Sequence, residues 1–259
     1  IEVNEDSGKV ESRDSGGSRV IRTLNLSKKF GEFNAVSGLN LEIKRGELFG
    51  FLGPNGAGKT TTIKMLTGLL KPSEGKVLLG GYDIEKEPLE AKRIIGYIPD
   101  QPYLYRKLTG REFLEFMANL YEIKVEREKI EGLLDLFELD GWGEELIENY
   151  SHGMRQKLIF SASLIHEPQV IIIDEPMVGL DPRSARLVKN ILRKKCAEGA
   201  TVFVSTHGIK VAEEICSRIG IIREGRLIAQ GTMKELRKEA RSEKRDLEGI
   251  FLKLTEEQA

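Results

Sequence analysis

The chain is poor in the residues that would mark a disulfide-bonded, zinc-binding or membrane-spanning protein. Its 259 residues include only two cysteines, Cys196 and Cys216. Both fall in helical-looking segments without the spacing of metal ligands, which favours reduced thiols over a disulfide framework or a zinc site. No uninterrupted apolar stretch approaches the roughly 20 residues needed to cross a bilayer. Any membrane role would therefore require a partner subunit.

The chain also lacks an excess of charge of either sign. Lys and Arg together number 40, and Asp and Glu together number 41. This balance gives no single-sign field of the kind that attracts DNA or an acidic substrate, so we expect no nucleic-acid partner. Residues 1–19 consist of Ser, Gly and charged residues with almost no apolar content. That composition predicts a polar linker or tail.

Glycine is concentrated in one informative segment, GPNGAGKT at residues 53–60, which follows an apolar run and precedes a helical pattern. This is the phosphate-loop form, in which glycines let successive backbone N–H groups face one point. The helix that begins near Lys59 adds its positive end, Lys59 reaches the β and γ phosphates, and the Thr60 hydroxyl is a ligand for Mg²⁺. The segment predicts a nucleoside triphosphate site. Its predicted contacts are Gly53, Pro54, Asn55, Gly56, Ala57, Gly58, Lys59, Thr60 and Thr61.

A second nucleotide signal is the pair Asp174 and Glu175, which follows the apolar run at residues 170–173. An Asp at the carboxyl end of a buried parallel strand lies beside the phosphate loop and can hold Mg²⁺ together with Thr60. Glu175 is then placed to act on the attacking water. Pro176 prevents a helix from continuing at once, which fixes the direction of both carboxylates.

The remaining pattern predicts an α/β protein. Alternating apolar residues at positions 20–47 predict antiparallel strands, and Phe30 after the first of them would either stack on a purine ring or fill a turn. The period changes to helical over residues 110–140, which predicts an inserted helical subdomain. Continuous apolar runs at residues 170–174 and 201–205, with a helix at 182–196 between them, predict buried parallel strands.

The segment YSHGMRQKL at residues 150–158 lies just before the helix that leads to Asp174. It resembles the signature of the ATP-binding cassette (ABC) family, LSGGQ followed by a basic residue and Gln. The matching residues are Ser151, Gly153, Arg155 and Gln156, whereas Tyr150, His152 and Met154 depart from the commonest form. Ser151 is predicted to cap a helix whose free N–H groups attract an anion. In this family that site faces the γ phosphate bound by the other subunit.

Other family marks follow in order. The segment GLDP resembles the one in which Asp181 communicates across a dimer, and STH resembles the switch whose His207 contacts the γ phosphate. The family's glutamine after the strand at residues 94–98 corresponds to Asp100, with Gln101 one step later. Either residue could reach Mg²⁺ or the water.

The resemblance covers residues 20–231, one complete nucleotide-binding domain with a helical subdomain at approximately 103–165 and a C-terminal helical tail at 232–259. It implies a phosphate-loop NTPase core of the RecA-like type with a mostly parallel sheet, an N-terminal antiparallel β subdomain and an inserted α-helical signature subdomain. The sequence is most similar to the ATPase subunits of ABC-2 type exporters, the group of drug-resistance and sodium-efflux cassettes. Three features carry this likeness: the signature variant, the acidic residue at position 100 and the tail LEGIFLKLTEE.

The resemblance further implies an ATPase that uses ATP and Mg²⁺, with Glu175, His207 and Lys59 as catalytic residues. Two such chains, identical or related, would meet head to tail with two ATP molecules between them. The implied partners are an ABC-2 type membrane permease and the second ATPase subunit, on the cytoplasmic face of the membrane. A soluble ABC ATPase acting on ribosomes or nucleic acid is the alternative. A small-molecule phosphate-loop kinase would share residues 53–60 but would not explain YSHGMRQKL or GLDP.

Overall fold

The computed structural model of the protein describes residues 19–101, 103–240 and 246–256. The strands are β1 (Arg19–Phe30), β2 (Phe33–Lys44), β3 (Leu48–Leu52), β4 (Glu74–Leu79), β5 (Tyr82–Asp83), β6 (Ile95–Ile98), β7 (Val170–Asp174), β8 (Thr201–Thr206), β9 (Arg218–Arg223) and β10 (Arg226–Gly231). The α-helices are α1 (Lys59–Leu66), α2 (Pro88–Arg93), α3 (Gly110–Leu120), α4 (Arg127–Leu136), α5 (His152–Leu164), α6 (Pro182–Ala197), α7 (Ile209–Ile215), α8 (Met233–Glu239) and α9 (Leu247–Glu256).

An antiparallel sheet with the strand order β2-β1-β4-β5 forms the N-terminal subdomain, as the alternating pattern predicts. β1 and β2 are joined at a turn that contains Gly31, and Phe30 and Phe33 face each other across it. Arg19, which the composition assigned to the polar tail, is the first residue of β1. The rest of that predicted tail, residues 1–18, lies outside the described residues.

The central sheet has the order β10-β9-β3-β8-β7-β6, and β3, β6, β7, β8 and β9 run parallel. β3 and β7 are buried along their whole length, which explains their unbroken apolar sequences. Because parallel strands end at the same edge of a sheet, the residues that follow β3, β6, β7 and β8 come together there. The predicted α/β class with a mostly parallel core is confirmed.

The helical subdomain contains α3, α4 and the first turns of α5. Thr109 begins α3 with a capping box, in which its hydroxyl accepts from the backbone N–H of Glu112 and the Glu112 carboxylate accepts from the N–H of Thr109. The buried face of α3 is formed by Phe113, Leu114 and Ala118. Leu120 continues the helical spacing of apolar residues set by Phe113, Phe116 and Met117, which predicts it on the buried face, but it is 61% exposed. The apolar repeat of α3 therefore extends beyond the residues that the core covers.

The C-terminal part of the described chain packs against the far edge of the central sheet. The predicted tail contains α8 and α9, and α9 lies against α7. Leu247 and Ile250 of α9 are fully buried in one cluster with Ala212 of α7 and Leu52 of β3. None of the described helices is both long enough and apolar enough to cross a membrane.

Cys196 and Cys216 are free thiols in the structure. Burial raises the pKa of Cys196 to about 11 and that of Cys216 to about 12. Because the thiolate is the reactive form, both side chains behave as small apolar residues at neutral pH.

Candidate functional site

A cleft of about 490 Å³ opens at the carboxyl edge of the central sheet, where β3, β6, β7 and β8 end. Most residues that the sequence assigned to phosphate, metal and catalysis meet there. The cleft is lined by Phe33, Ala35, Asn55, Gly56, Gly58, Lys59, Thr60, Thr61, Asp100, Asp174, Glu175, Val178 and His207.

The phosphate loop between β3 and α1 contains two glycines in the left-handed conformation. Gly56 and Gly58 have positive φ angles of 79° and 104°, a region that residues with a side chain rarely adopt. A Cβ at Gly58 would lie 2.5 Å from the carbonyl oxygen of Ala35, whereas one at Gly56 would meet no atom of the described chain within 4 Å. Gly58 thus permits close packing against β2, and Gly56 leaves the cleft open for a phosphate group.

The turn between β9 and β10 supports this loop from outside the sequence motif. The backbone N–H of Gly225 donates to the carbonyl oxygen of Ala57 at 2.9 Å, and the N–H of Ser37 donates to that of Gly225 at 2.8 Å. Gly225 has a φ of 76°, and a Cβ there would lie 2.7 Å from the Ala35 oxygen. The loop is therefore fixed between β2 and a turn that lies far along the chain.

Lys59 is 7% exposed, and its ammonium donates to the loop carbonyls of Gly53 at 2.7 Å and Pro54 at 3.0 Å. Burial has the largest effect and lowers the pKa of Lys59, while the nearby charges of Glu175 and Asp174 act in the opposite direction. Because an additional anion favours the charged form of an amine, a bound triphosphate would stabilise the Lys59 ammonium.

Thr60 and Asp174 form the candidate metal-binding pair. The Thr60 hydroxyl donates to Oδ2 of Asp174 at 3.0 Å, and Asp174 is 4% exposed. Burial raises the pKa of Asp174, hydrogen bonding that includes the Thr60 hydroxyl acts in the opposite direction, and the charges of Asp100 and Glu175 add smaller increases. Adjacent oxygens of an octahedral Mg²⁺ with bonds of about 2.1 Å are about 3.0 Å apart. Hard oxygen ligands at this separation, in a site whose negative charges repel, fit a divalent cation.

Glu175 is held by groups at the end of β8. Its carboxylate accepts from the Thr206 hydroxyl at 3.0 Å and from the backbone N–H of His207 at 3.0 Å, and it lies 2.7 Å from His207 Nδ1. Because an ionised carboxylate only accepts, Nδ1 carries the hydrogen in this contact, which leaves Nε2 for another ligand. Glu175 also has a φ of 53°, the left-handed conformation, which directs the chain sharply away from β7.

Of the two residues proposed to replace the family's glutamine, Asp100 lines the cleft and Gln101 does not. Tyr97 lies next to this position on β6. Burial raises the pKa of Tyr97 to about 12, and the negative charges of Asp174 and Asp100 contribute. The phenol is thus neutral at neutral pH, within electrostatic range of both carboxylates.

Ser151 and Asp181 are both helix caps outside the cleft. Ser151 begins α5, and its hydroxyl accepts from the N–H of Met154 at 3.2 Å. Asp181 begins α6 and accepts from the backbone N–H groups of Arg183 and Ser184. The hydrogen bond from the Ser184 hydroxyl is the largest of several effects that lower the pKa of Asp181 to about 2.

The signature segment and the GLDP segment nevertheless lie next to each other. A Cβ at Gly153 would be 3.3 Å from the carbonyl oxygen of Gly179, and one at Gly179 would collide with the ring of His152. The structure therefore brings Ser151, Gly153 and Asp181 to one region that does not line the phosphate cleft of the same chain.

The cleft wall contains Phe33, which the sequence reasoning missed. Phe33 is 63% exposed and lines the cleft, whereas Phe30, its cross-strand partner, is 50% exposed and does not. The ring of Phe30 lies 5.3 Å from the ammonium of Lys28 instead. The sequence FGEF held a usable signal, because two phenylalanines that flank a two-residue turn form a cross-strand pair.

Comparison with known families identifies the protein's relatives. The family model described as ABC transporter matches residues 36–178. The chain belongs to the ABC transporter family. This membership, expected from the ordered motifs, is confirmed, and the region of the match contains the phosphate loop, the signature segment and the Asp174–Glu175 pair.

Several curated ABC proteins are similar over most of the chain. The probable multidrug ABC transporter ATP-binding protein YbhF of Escherichia coli K12 is 37% identical over 243 residues, which is 92% of this chain and 42% of YbhF. The linearmycin resistance ATP-binding protein LnrL of Bacillus subtilis is 37% identical over 84% of this chain and 70% of LnrL. The daunorubicin/doxorubicin resistance ATP-binding protein DrrA of Streptomyces peucetius is 39% identical over 85% and 67%. The chain thus spans less than half of YbhF, and the relatives include drug-resistance cassettes, as the ABC-2 resemblance predicts.

Solved cassettes share the fold. An ATP-binding subunit of an ABC transporter superposes with a TM-score of 0.85 at 32% identity, covering 91% of this chain and 99% of that one. The cassette MJ0796, solved as a dimer in a post-hydrolysis state with ADP and phosphate, gives a TM-score of 0.75 at 28% identity, covering 82% and 98%.

Proposed function

We propose that this chain is the ATP-hydrolysing subunit of an ABC exporter and that two ATPase subunits close on ATP to drive transport. The observation that carries the proposal is the convergence of Lys59, the Thr60–Asp174 pair and the Glu175–His207 pair in one cleft. These are an anion-binding group, a metal-binding group and an acid–base group. Their combination suits phosphoryl transfer to water.

Binding would rest on the phosphate loop. Its backbone N–H groups and the positive end of α1 attract the phosphates, and Lys59 turns from the loop carbonyls towards the β and γ oxygens. Thr60 and Asp174 would hold Mg²⁺, with Asp100 directly or through water at a further position. The bound cation would neutralise charge on the β and γ oxygens during transfer.

Glu175 and His207 would perform the proton and charge chemistry. The Glu175 carboxylate, oriented by Thr206 and His207, orients the attacking water and accepts its proton. His207 uses Nδ1–H to hold Glu175, so Nε2 is the ring atom that can approach a γ-phosphate oxygen. His207 would then lie between the Glu175 carboxylate and the γ phosphate. Binding of the γ phosphate would therefore affect the position of Glu175, the proposed base, through the imidazole ring.

A second subunit is needed to complete the site. Ser151, Gly153 and Asp181 lie outside the cleft of their own chain, while the N-terminal turn of α5 retains the positive end that attracts anions. In a head-to-tail pair this turn would cap the γ phosphate held by the other chain. ATP would then join two subunits, and hydrolysis would weaken the junction.

The exporter would also include a permease of the ABC-2 type, which we propose is bound on the cytoplasmic face of the membrane by the helical subdomain. Tyr103 and Tyr105 are 85% and 61% exposed, and Tyr105 meets Phe116 edge to face at 5.3 Å. Such an aromatic surface suits a short amphipathic helix. The transport and resistance names of the relatives favour this partner over a ribosome or nucleic acid.

Light scattering with a slowly hydrolysed ATP analogue tests the shared site. The wild-type chain is expected to form a dimer with the analogue, and Ser151→Arg is expected to bind nucleotide normally yet stay monomeric. Thr232→Arg is the matched control. The Thr232 hydroxyl caps α8 by accepting from the backbone N–H of Glu235, as the Ser151 hydroxyl caps α5, but Thr232 does not belong to the proposed site. An analogue-dependent dimer of Ser151→Arg would overturn the role of the signature segment.

A further inference from the structure

One polar contact between the helical subdomain and the core lies at the start of β6, the end of that strand away from the nucleotide cleft. The rings of Tyr121, at the end of α3, and His166, after α5, stack with centroids 3.7 Å apart and planes 8° apart. Both side chains also bond the carbonyl oxygen of Ile95 at the start of β6, Tyr121 through its hydroxyl at 3.2 Å and His166 through Nε2 at 2.9 Å. We name this arrangement the Tyr121–His166 clamp.

The chemistry of His166 indicates more than space filling. A carbonyl oxygen only accepts, so Nε2 carries the hydrogen and Nδ1 has a lone pair. Nδ1 is buried and has no hydrogen-bond partner among the described residues, a state that costs free energy. Burial lowers the pKa of His166 to about 4, so the ring is neutral at neutral pH. An aliphatic side chain would avoid that cost but would provide neither the stack nor the directed hydrogen bond.

Two ion pairs flank the clamp and join the same parts of the protein. Arg93 of α2 pairs with Glu122 at 2.8 Å, next to Tyr121. Lys129 of α4 pairs with Glu167 at 2.7 Å, next to His166. Exposed pairs contribute little individually. Their placement on both sides of the stacked rings adds polar contacts between subdomain and core at this point.

The clamp is attached to both functional parts of the molecule. Ile95 opens the short strand β6, which ends just before Asp100 in the cleft. His166 follows α5, whose first turn carries Gly153 and is capped by Ser151. A helix of 13 residues is about 20 Å long at about 1.5 Å per residue. A rotation of about 10° at the clamp would therefore move Ser151 by roughly 3.5 Å, more than a hydrogen-bond length.

We propose that Tyr121 and His166 are positioning residues that fix the angle of the helical subdomain on the core and so align Ser151 and Gly153 with the nucleotide of the second subunit. The inference rests on the proposed function. It adds that the alignment is set at the start of β6, by residues that do not line the nucleotide cleft. Loss of the stack should therefore affect turnover and dimerisation while leaving ATP binding by one chain intact.

The test uses Tyr121→Leu and His166→Leu in the full chain. Each variant is expected to keep the ATP affinity of the monomer within 2-fold, to lower kcat at saturating ATP by 5- to 20-fold, and to weaken ATP-dependent dimerisation. The double variant should be no slower than the worse single variant, because both remove the same stack. Tyr121→Phe keeps the stacked ring and is expected to retain at least half of the wild-type kcat.

Phe137→Leu is the matched structural control. Phe137 stacks on Phe160 with centroids 5.9 Å apart, so the variant loses an aromatic pair and lowers Tm while the Tyr121–His166 stack and its two hydrogen bonds to Ile95 stay in place. It should keep kcat within 2-fold. If either leucine variant does not fold, His166→Gln replaces it, since the amide can still donate to Ile95 but cannot stack as the imidazole does, and the same fall in kcat is expected.

Unchanged kcat in folded clamp variants, with only Tm lowered, would overturn the inference and leave the pair a structural contact. An equal loss of ATP affinity in the monomer would overturn it as well, because the effect would then lie in the cleft. A wild-type chain that neither dimerises on ATP nor hydrolyses it would instead refute the proposed function, and with it the positioning role.

Discussion

The substitution Glu175→Gln isolates the proposed base, because the contacts of the side chain survive it. The glutamine amide oxygen can accept from the N–H and Nδ1–H of His207 at the distances of 3.0 and 2.7 Å found for the carboxylate. The amide nitrogen then faces the Thr206 hydroxyl, which reverses from donor to acceptor at 3.0 Å. The backbone φ of 53° is as accessible to glutamine as to glutamate. We therefore expect the fold and the ATP affinity to be preserved.

Turnover, in contrast, should fall sharply. A neutral amide cannot take a proton from water, and general-base catalysis typically contributes about 10²- to 10⁴-fold to a rate. We expect a loss of at least ~100-fold in kcat, equivalent to ~2.7 kcal/mol of barrier. Because ATP stays bound and is not hydrolysed, the ATP-dependent dimer should accumulate in this variant.

Phosphate release under saturating ATP measures the loss, and calorimetry of ATP binding verifies that the cleft is intact. Glu224→Gln is the matched control, since Glu224 shares the left-handed backbone, with a φ of 49°, but does not line the cleft. It should turn over at the wild-type rate. Phosphate release by Glu175→Gln within a few-fold of wild type would show that another group accepts the proton and would remove Glu175 from its assigned role.

Two further measurements address the aromatic side chain on which the adenine ring would stack and the buried His166. Stacking of a nucleotide base on an aromatic ring is worth about 1–3 kcal/mol, so Phe33→Ala should weaken ATP binding at least ~5-fold in calorimetry. Phe30→Ala should weaken it less. A larger loss in Phe30→Ala would place the purine ring on Phe30. Below pH 6.5 His166 is protonated in the unfolded chain but stays neutral in the folded chain, where its pKa is about 4. The free energy of unfolding should therefore fall as the pH drops from 6.5 towards 4. Above pH 6.5 this group should have little effect on stability. Between pH 6.5 and 4.5, urea unfolding should show about 1–2 kcal/mol more loss of stability in the wild type than in His166→Leu, after a discount for screening by solvent. Lys129 and Glu167 are the charged neighbours, and equal losses in the two proteins would contradict the buried neutral state.

The phosphate loop and the Asp174–Glu175 pair were predictable because their signals are local. A buried strand, a run of glycines and a helix start are adjacent in the chain at Gly58, and an apolar run precedes Asp174 directly. The parallel order of the sheet then places the two segments together, since parallel strands end at a common edge.

Contacts between distant segments could not be predicted in the same way. The hold of Thr206 and His207 on Glu175 requires β7 and β8 to be neighbours in register, which periodicity does not specify. The stack of Tyr121 on His166 joins the ends of two helices whose own patterns give no sign of it. Leu120 fits a helical repeat yet stays exposed, because the repeat describes a helix but not which neighbours cover it.

The hydrogen bond from the Gly225 N–H to the Ala57 carbonyl oxygen affects how much of the chain the phosphate site requires. A polypeptide truncated after His207 would still carry each residue that lines the cleft, yet its phosphate loop would have lost the Gly225 amide that anchors Ala57. Such a fragment would keep the sequence motifs of the cleft but is expected to bind nucleotide poorly in solution. Phosphate binding thus depends on residues from β2 to the β9–β10 turn. The eight residues of the loop contact the phosphate, and the other segments hold the loop in place.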